Sequence, residues 1–366
     1  MAYPPFNAKL RVGILGATGM VGQRFVQLLE DHPWFETVCL AASERSAGKT
    51  YGRAVGDRWS QKTPIPRMLL EETVLEVEQD LKTVSERVDF VFSAMDMEKE
   101  KTRHVENTYA AAGMPVVSCN SAHRLSEDVP MLIPEINPGH LALIDAQRKN
   151  RGWTRGLIAV KPNCSIQSYV PVLDALKAFG MERVAVTMCQ AISGAGKTFA
   201  TWPAMLDNVI PLIPGEEKKS EEEPLKIWGS VESGKCVPAK KPVISATCIR
   251  VPVTDGHMAS VGVAFQRKPR REDIVEAIRD FKDPLLPLGL PSSPKRFITY
   301  FEQDDRPQTA LDRDLENGMG ISVGRLREDP VLDWKFIALS HNTIRGAAGG
   351  AVLIAELMVK KGYILR

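Results

Sequence analysis

The chain has 366 residues, 44% of them apolar and 25% charged, which is ordinary globular material and enough for two domains. Its formal net charge of +2 points to neither a nucleic-acid nor a membrane partner, and the charge run from Glu216 to Glu223 mixes both signs. No apolar run reaches the length of a membrane span, and the polar arm from Met1 to Lys9 lacks the apolar centre of a signal peptide. The six cysteines (Cys39, Cys119, Cys164, Cys189, Cys236 and Cys248) form no CxxC pair, so we expect a cytoplasmic protein with reduced thiols, no disulfide framework and no metal site.

In chain order, an apolar strand from Leu10 to Leu15 runs into Gly16-Ala17-Thr18-Gly19-Met20-Val21-Gly22 and then into an amphipathic helix ending near Asp31. Glycines at such a turn let the backbone approach a pyrophosphate, which lies on the helix N-terminus. The spacing is GxxGxxG rather than GxGxxG, and the strand before and helix after it give the motif its weight. A second strand, Thr37 to Ala41, ends in Ser43-Glu44-Arg45-Ser46. An NAD site places an acid there for the ribose 2′-hydroxyl, whereas a 2′-phosphate needs hydroxyls and a cation. Ser43, Arg45 and Ser46 favour NADP, with Glu44 the dissenting residue. From Tyr51 to Glu86 the pattern is irregular. A strand from Val88 to Ser93, a charged helix from Glu98 to Ala112 and a strand from Pro115 to Cys119 follow, which predicts a parallel sheet with ligands at the carboxyl ends of its strands. Asn120-Ser121-Ala122-His123-Arg124 lies beyond one such end, where an arginine can grip an anion.

A strand from Gly156 to Val160 leads to Lys161-Pro162-Asn163-Cys164-Ser165-Ile166-Gln167, and helical periodicity runs from Ile166 to Phe179. Cys164 therefore falls where a strand hands over to a helix. Unpaired N–H groups there should make a thiol lose its proton more easily, the setting for a nucleophile. Beyond it, apolar strands around Arg183 to Gln190, Val243 to Val251, Met258 to Phe265 and Trp334 to Leu339 predict a mixed, largely antiparallel sheet in a second domain. Its breadth suits a subunit interface. Ser193-Gly194-Ala195-Gly196-Lys197-Thr198 looks like a phosphate loop, but Ala191 stands where the first glycine belongs, so ATP is rejected. Arg250 and His257 flank an Asp255-Gly256 turn that could face both into one cavity. His257 is the best acid/base candidate of six histidines, though on its own it is as readily a core residue. The small residues from Gly346 to Ala351 open a helix running to about Lys361 and allow close packing on a backbone or a cofactor.

Together, Gly16-Ala17-Thr18-Gly19-Met20-Val21-Gly22, Pro162-Asn163-Cys164, Gln190 to Gly196, Arg250 seven residues before His257, and Asn342 to Gly350 resemble aspartate-semialdehyde dehydrogenase in its archaeal and fungal branch. The resemblance spans nearly the whole chain. It implies an α/β fold: a Rossmann-type NADP domain, residues 1–163, completed by the C-terminal helix 342–366, and an α+β catalytic and dimerisation domain, residues 164–341. It makes Cys164 the nucleophile, His257 the acid/base and Gln190 the residue that positions the acyl group. Arg250 would hold the substrate α-carboxylate, Glu216 its amine, Arg124 and Lys219 the phosphate, and Asn163 would line the substrate site. Gly16, Thr18, Gly19, Met20, Val21, Ser43, Arg45, Ser46, Ser93, Ser193, Gly194 and Asn342 would bind NADP. Neighbouring Glu217 and Lys218 could take the register of Glu216 and Lys219 instead. The implied reaction interconverts aspartyl phosphate and aspartate semialdehyde through a cysteine thioester, in a homodimer or homotetramer, on the route to methionine and threonine. Rival readings are malonyl-CoA reductase, an acyl-phosphate reductase of another substrate, and a non-catalytic dinucleotide sensor.

Overall fold

The computed structural model describes residues 8–366, so most of the N-terminal arm, residues 1–7, lies outside the described residues. Strands β1 (Leu10–Leu15), β2 (Phe35–Ala42), β3 (Leu75–Glu76), β4 (Phe90–Ser93), β5 (Pro115–Ser118) and β6 (Leu157–Val160) form one sheet in the order β3-β2-β1-β4-β5-β6. All its pairings are parallel. Helices cover both faces of such a sheet, which is why β4, β5 and β6 are buried at every position. The strand order reverses between β1 and β4, and the crevice beyond their carboxyl ends is the usual seat of a dinucleotide. The irregular stretch after Tyr51 folds into the short helices Tyr51–Val55, Arg67–Leu70 and Leu81–Arg87 around β3.

The second sheet contains β7 (Met181–Gln190), β10 (Val243–Arg250), β11 (His257–Phe265), β12 (Ile298–Phe301), β13 (Ile321–Glu328) and β14 (Trp334–Ser340), while β8 (Ser230–Glu232) and β9 (Lys235–Val237) make a separate ribbon. Its order is β10-β7-β11-β14-β13-β12, antiparallel at the centre and parallel at the two edges. Along β7, Val184, Val186 and Met188 are buried while Arg183, Ala185 and Thr187 are exposed, the period-two alternation of a sheet packed on one face only. Helix Glu216–Ile227 runs along the β10 edge. Glu217 and Glu221, one turn apart on that helix, accept the backbone N–H groups of Cys248 and Ala246.

Two expectations need correction. The helix expected from Ile166 to Phe179 is broken into a turn at Ser165–Gln167, a helix at Val170–Ala175 and a turn at Lys177–Phe179. Pro171 has no N–H to return to the preceding turn, so the chain restarts there. The C-terminal helix begins at Gly349 rather than Asn342, because Ile344–Ala348 form a wide turn interrupted at Ala347 (φ −146°, ψ −107°). Helix Gly349–Lys360 then packs in the core of the first sheet, with Leu10, Phe25 and Phe92. Its one carboxylate, Glu356, is fully buried and engages His32 at 2.8 Å and the Ser292 hydroxyl at 2.6 Å. Among the described residues no helix is long and apolar enough to cross a membrane.

Candidate active site

Two sites lie at the carboxyl edge of the parallel sheet. The first is a cavity of about 450 Å³ lined by Gly16, Thr18, Gly19, Ser43, Arg45 and Ser46, and opposite them by Ala94 to Met97 after β4. Its shape depends on two glycines. Gly16 has φ +85°, and a Cβ there would sit 2.4 Å from the Ala94 carbonyl oxygen; one on Gly22 would sit 2.2 Å from the Gly16 oxygen. Only glycine lets the turn lie against β4 and the helix Met20–Leu29 sit on the turn. Lys49 and Arg58 add cations that the sequence reading passed over, and Glu44 is not among the lining residues. Lys49 donates to the Arg45 carbonyl at 2.7 Å, tying the loop to itself. Hydroxyls and cations without Glu44 fit a 2′-phosphate rather than a bare ribose. Met20 and Val21 begin the helix without lining this cavity. Ser93 is buried, its hydroxyl donating to Glu106 at 2.7 Å.

The second site surrounds Cys164, which follows β6. The Cys164 sulfur lies 3.4 Å from His257 Nε2, and His257 opens β11 directly after Gly256, whose φ of +102° makes the turn. The Gln190 side chain, at the end of β7, donates to Glu216 at 3.2 Å. Glu216 also accepts from Asn163 Nδ2 at 3.1 Å and Lys219 Nζ at 2.7 Å. Arg250, at the end of β10, donates to the Ala191 carbonyl at 2.7 Å. The structure thus places Glu216 and Lys219 on the face toward Cys164. Glu217 lies on the β10 edge and Lys218 pairs with Glu222 on the exposed side.

The electrostatics correct the expected easy ionisation of the thiol. Cys164 caps only a three-residue turn, too short to carry a helix dipole. Burial and the Glu216 carboxylate push the thiol above its ordinary value, against the pull of Lys161, Arg124 and Arg250. Lys161 opens the motif read from the sequence but was given no role there. It is 2% exposed, its ammonium donates to the Pro162 carbonyl, and burial with the nearby Arg124 charge pushes it down to about 8.

Three expected binding residues are committed inside the protein. Arg124 donates to the Glu223 carboxylate at 3.0 Å, the Lys161 carbonyl at 3.0 Å and the Cys119 carbonyl at 2.8 Å. Glu223 in turn accepts the Asn163 backbone N–H. Arg124 therefore braces the Cys164 loop instead of presenting a free guanidinium to phosphate. Asn163 is likewise engaged at both ends of its amide, by Ser165 and by Glu216. Asn342 accepts from Gly256 N–H at 2.8 Å and donates to Ser193 Oγ at 2.8 Å, so it clamps the turn before His257 to the Ser193-Gly194 loop. Gly346 was noted only as a small residue. A Cβ there would be 2.9 Å from that of Cys164, so the C-terminal turn forms a wall of the nucleophile's pocket.

With this geometry in hand, comparison with known proteins is specific. A family model described as "Semialdehyde dehydrogenase, NAD binding domain" matches residues 11–144, and one described as "Semialdehyde dehydrogenase, dimerisation domain" matches residues 171–345. Fold and models define the class: an oxidoreductase acting on an aldehyde, with a Rossmann-type domain joined to a dimerisation domain. Aspartate-semialdehyde dehydrogenase of Archaeoglobus fulgidus is 47% identical over 353 residues, covering 96% of this chain and 99% of the relative. That of Schizosaccharomyces pombe is 42% identical over 360 residues, covering 97% and 99%. The crystal structure of aspartate semialdehyde dehydrogenase with NADP from Candida albicans superposes with a TM-score of 0.87 at 39% identity, over 98% of this chain and 100% of that one. The chain belongs to the aspartate-semialdehyde dehydrogenase family.

Proposed function

We propose that the protein catalyses the NADP-dependent, reversible reductive dephosphorylation of L-4-aspartyl phosphate to L-aspartate 4-semialdehyde, through a thioester on Cys164. The step lies on the route to methionine and threonine. The observation that carries the reading is the convergence on the Cys164 sulfur of His257, at 3.4 Å, with Gln190 and Arg250 at neighbouring strand ends. Residues 1–163 with the C-terminal segment 342–366 make the NADP domain, and residues 164–341 make the catalytic and dimerisation domain. Gly16, Thr18 and Gly19 would hold the pyrophosphate, and Ser43, Arg45, Ser46, Lys49 and Arg58, which line the same cavity, would supply the hydroxyls and cations for the 2′-phosphate. When bound, the dinucleotide supplies or accepts a hydride.

The protein's own groups do the rest. Cys164 attacks the acyl carbon, the carbon–oxygen bond to phosphate breaks, and phosphate leaves with the electron pair. Arg250 takes the substrate α-carboxylate, Glu216 its amine, and Gln190, oriented by Glu216, the acyl oxygen. Lys219 replaces Arg124 as the phosphate cation because, although each is paired with a glutamate, the Lys219 side chain is 34% exposed whereas that of Arg124 is 9% exposed. Reduction of the thioester leaves a tetrahedral oxyanion, which expels the Cys164 thiolate and frees the aldehyde. His257 Nε2 is the polar group set beside the sulfur to meet that oxyanion. The enzyme works in the cytoplasm as a homodimer or homotetramer, joined through the open face of the second sheet, where Val243 is 65% exposed.

The test is the formation of NADPH from aspartate semialdehyde with phosphate or with coenzyme A as the acceptor. Phosphate-dependent turnover is expected. Turnover that needs coenzyme A, with activity toward malonyl-CoA, would replace this reading by the related reductase. Full function of a Cys164→Ser variant would leave only a dinucleotide sensor.

A further inference from the structure

We propose that Glu135 and Arg345 are positioning residues for the nucleophile: their buried ion pair fixes the C-terminal turn that walls the Cys164 pocket, and through that turn the seat of the Cys164 sulfur. The catalytic use of that seat rests on the functional reading above, whereas the seating itself does not.

Glu135 belongs to the frame that carries the nucleophile. The segment before it pairs with β6: Leu132 N–H donates to the Val160 carbonyl at 3.0 Å, and Val160 N–H to the Pro130 carbonyl at 2.9 Å. Asn137 closes the turn around Glu135, its side chain accepting the Ile133 N–H and donating to the Met131 carbonyl, each at 2.9 Å. The acid is thereby tied to the strand that ends at the Cys164 loop. Arg345, 210 residues further on, meets it with two parallel bonds, Nη1 to Oε1 and Nη2 to Oε2, both 2.6 Å. The Phe297 ring lies 4.7 Å from the guanidinium, and Nε donates at 3.3 Å to Gln167, which shares the turn after Cys164.

The two side chains are 1% and 0% exposed, and a pair so deep adds little net stability, because desolvation offsets the attraction. Two parallel bonds do hold one orientation. What they hold is a turn with neighbours in the active site. Directly after Arg345, Gly346 lies on the nucleophile: a Cβ there would be 2.9 Å from Cys164 Cβ and 3.3 Å from its Cα. Farther along, a Cβ on Gly350 would lie 3.5 Å from Cδ and Cε of Lys161, at the other end of the same loop. Before the pair, Asn342 accepts the Gly256 N–H at 2.8 Å, next to His257.

The pair therefore acts as a gauge. The Cys164 loop leaves β6 on one side and meets the turn on the other, so a turn released from Glu135 would free the sulfur from its place 3.4 Å from His257 Nε2. With their side chains engaged on each other, Glu135 and Arg345 act on the chemistry only through Gly346 and Asn342. A displacement of about 1 Å at a reacting group costs roughly 10²-fold in rate. The same displacement would admit water to a thiol that burial holds above its ordinary value, and so make it easier to alkylate.

Removing Arg345 alone would strand Glu135 near Asp283, which burial and Glu135 already push up to about 6. The deciding variant therefore exchanges both partners for apolar groups, Glu135→Leu with Arg345→Met, beside the milder single changes Glu135→Gln and Arg345→Lys. The double variant should melt within about 5 °C of the wild type and bind NADP with unchanged affinity. Its kcat should fall by about 10²-fold while the KM for aspartate semialdehyde stays within about threefold. Iodoacetamide labelling, read by peptide mass spectrometry, should quicken at Cys164 by about threefold or more, with the buried Cys39 and Cys248 unchanged. Gly346→Ala, which displaces the nucleophile with the pair intact, should reproduce the fall in kcat. Wild-type kcat and Cys164 labelling in the folded double variant or in Gly346→Ala would overturn the proposal, as would a loss confined to NADP affinity or to melting temperature. Should the double variant not fold, the two single changes carry the same readouts. Labelling needs no turnover, so a protein inactive with aspartate semialdehyde would count against the functional reading alone.

Discussion

The dinucleotide crevice and the Cys164 pocket share one sheet edge, yet they are built on opposite terms. The crevice comes from short contiguous segments, Gly16 to Gly22 and Ser43 to Lys49, and its cations Arg45 and Lys49 reach into solvent. The pocket is assembled from segments far apart in the chain. Its polar groups are committed to each other: Glu216 to Asn163, Gln190 and Lys219, and Ala191 to both His257 and Arg250. A crevice of exposed, separable contacts should weaken by degrees when altered, whereas a pocket of mutually dependent buried contacts should fail abruptly.

The largest expected effect is at the nucleophile. Cys164→Ser should lower turnover by about 10⁴-fold or more, while fluorescence titration finds NADP affinity unchanged; a parallel loss of binding would show that the two sites are not separable. Gly194→Val comes next, because its Cβ would lie 2.8 Å from Arg250 Nη1 and 3.0 Å from His257. Displacing both groups should reduce kcat by about 10²-fold, and a variant with ordinary steady-state kinetics would mean that the pocket yields more than its packing implies. Lys219→Ala should raise the KM for phosphate by about tenfold, whereas Lys218→Ala, on the exposed face, should leave it unchanged. On the crevice side, Arg45→Ala should weaken NADPH binding by about fivefold, with no change for NADH, as measured by calorimetry.

The smallest effect is global. His123, His257 and His341 are held neutral, pushed down by burial to about 4, about 3 and about 4. The unfolded chain would protonate them near pH ~6.5, so stability is full above that value and is lost as pH falls toward the folded values. The melting temperature should drop by roughly 5 °C between pH 7 and pH 5. A flat profile would indicate that the pocket side of the molecule tolerates charge as readily as the crevice does.

Most of the first site was legible in the chain because its information is local. Glycine spacing, strand before and helix after, and a hydroxyl-rich loop with Arg45 all lie within a few dozen residues, and a parallel sheet brings its strand ends together by construction. Lys49 stood in the same loop and could have been read as a further cation. Arg58 lay in a stretch without periodicity and carried no such signal. At the second site the residue types were visible at Pro162-Asn163-Cys164 and Arg250 to His257, but their partners were not. Nothing local marks Glu223 as the brace of Arg124, or distinguishes Glu216 and Lys219 from their neighbours, since the helix face is chosen by what it packs on.

The chain by itself determined the alternation of strands and helices, the glycine turn and the chemical groups available, because backbone sterics and hydrophobic periodicity act over short distances. Only the tertiary structure decided that the Cys164 thiol sits above its ordinary value, that Arg124 and Asn342 are ties within the protein, and that Arg345 reaches Glu135 behind the nucleophile. Those outcomes depend on desolvation and on hydrogen bonds between segments remote in sequence, and both come into being only when the chain closes on itself.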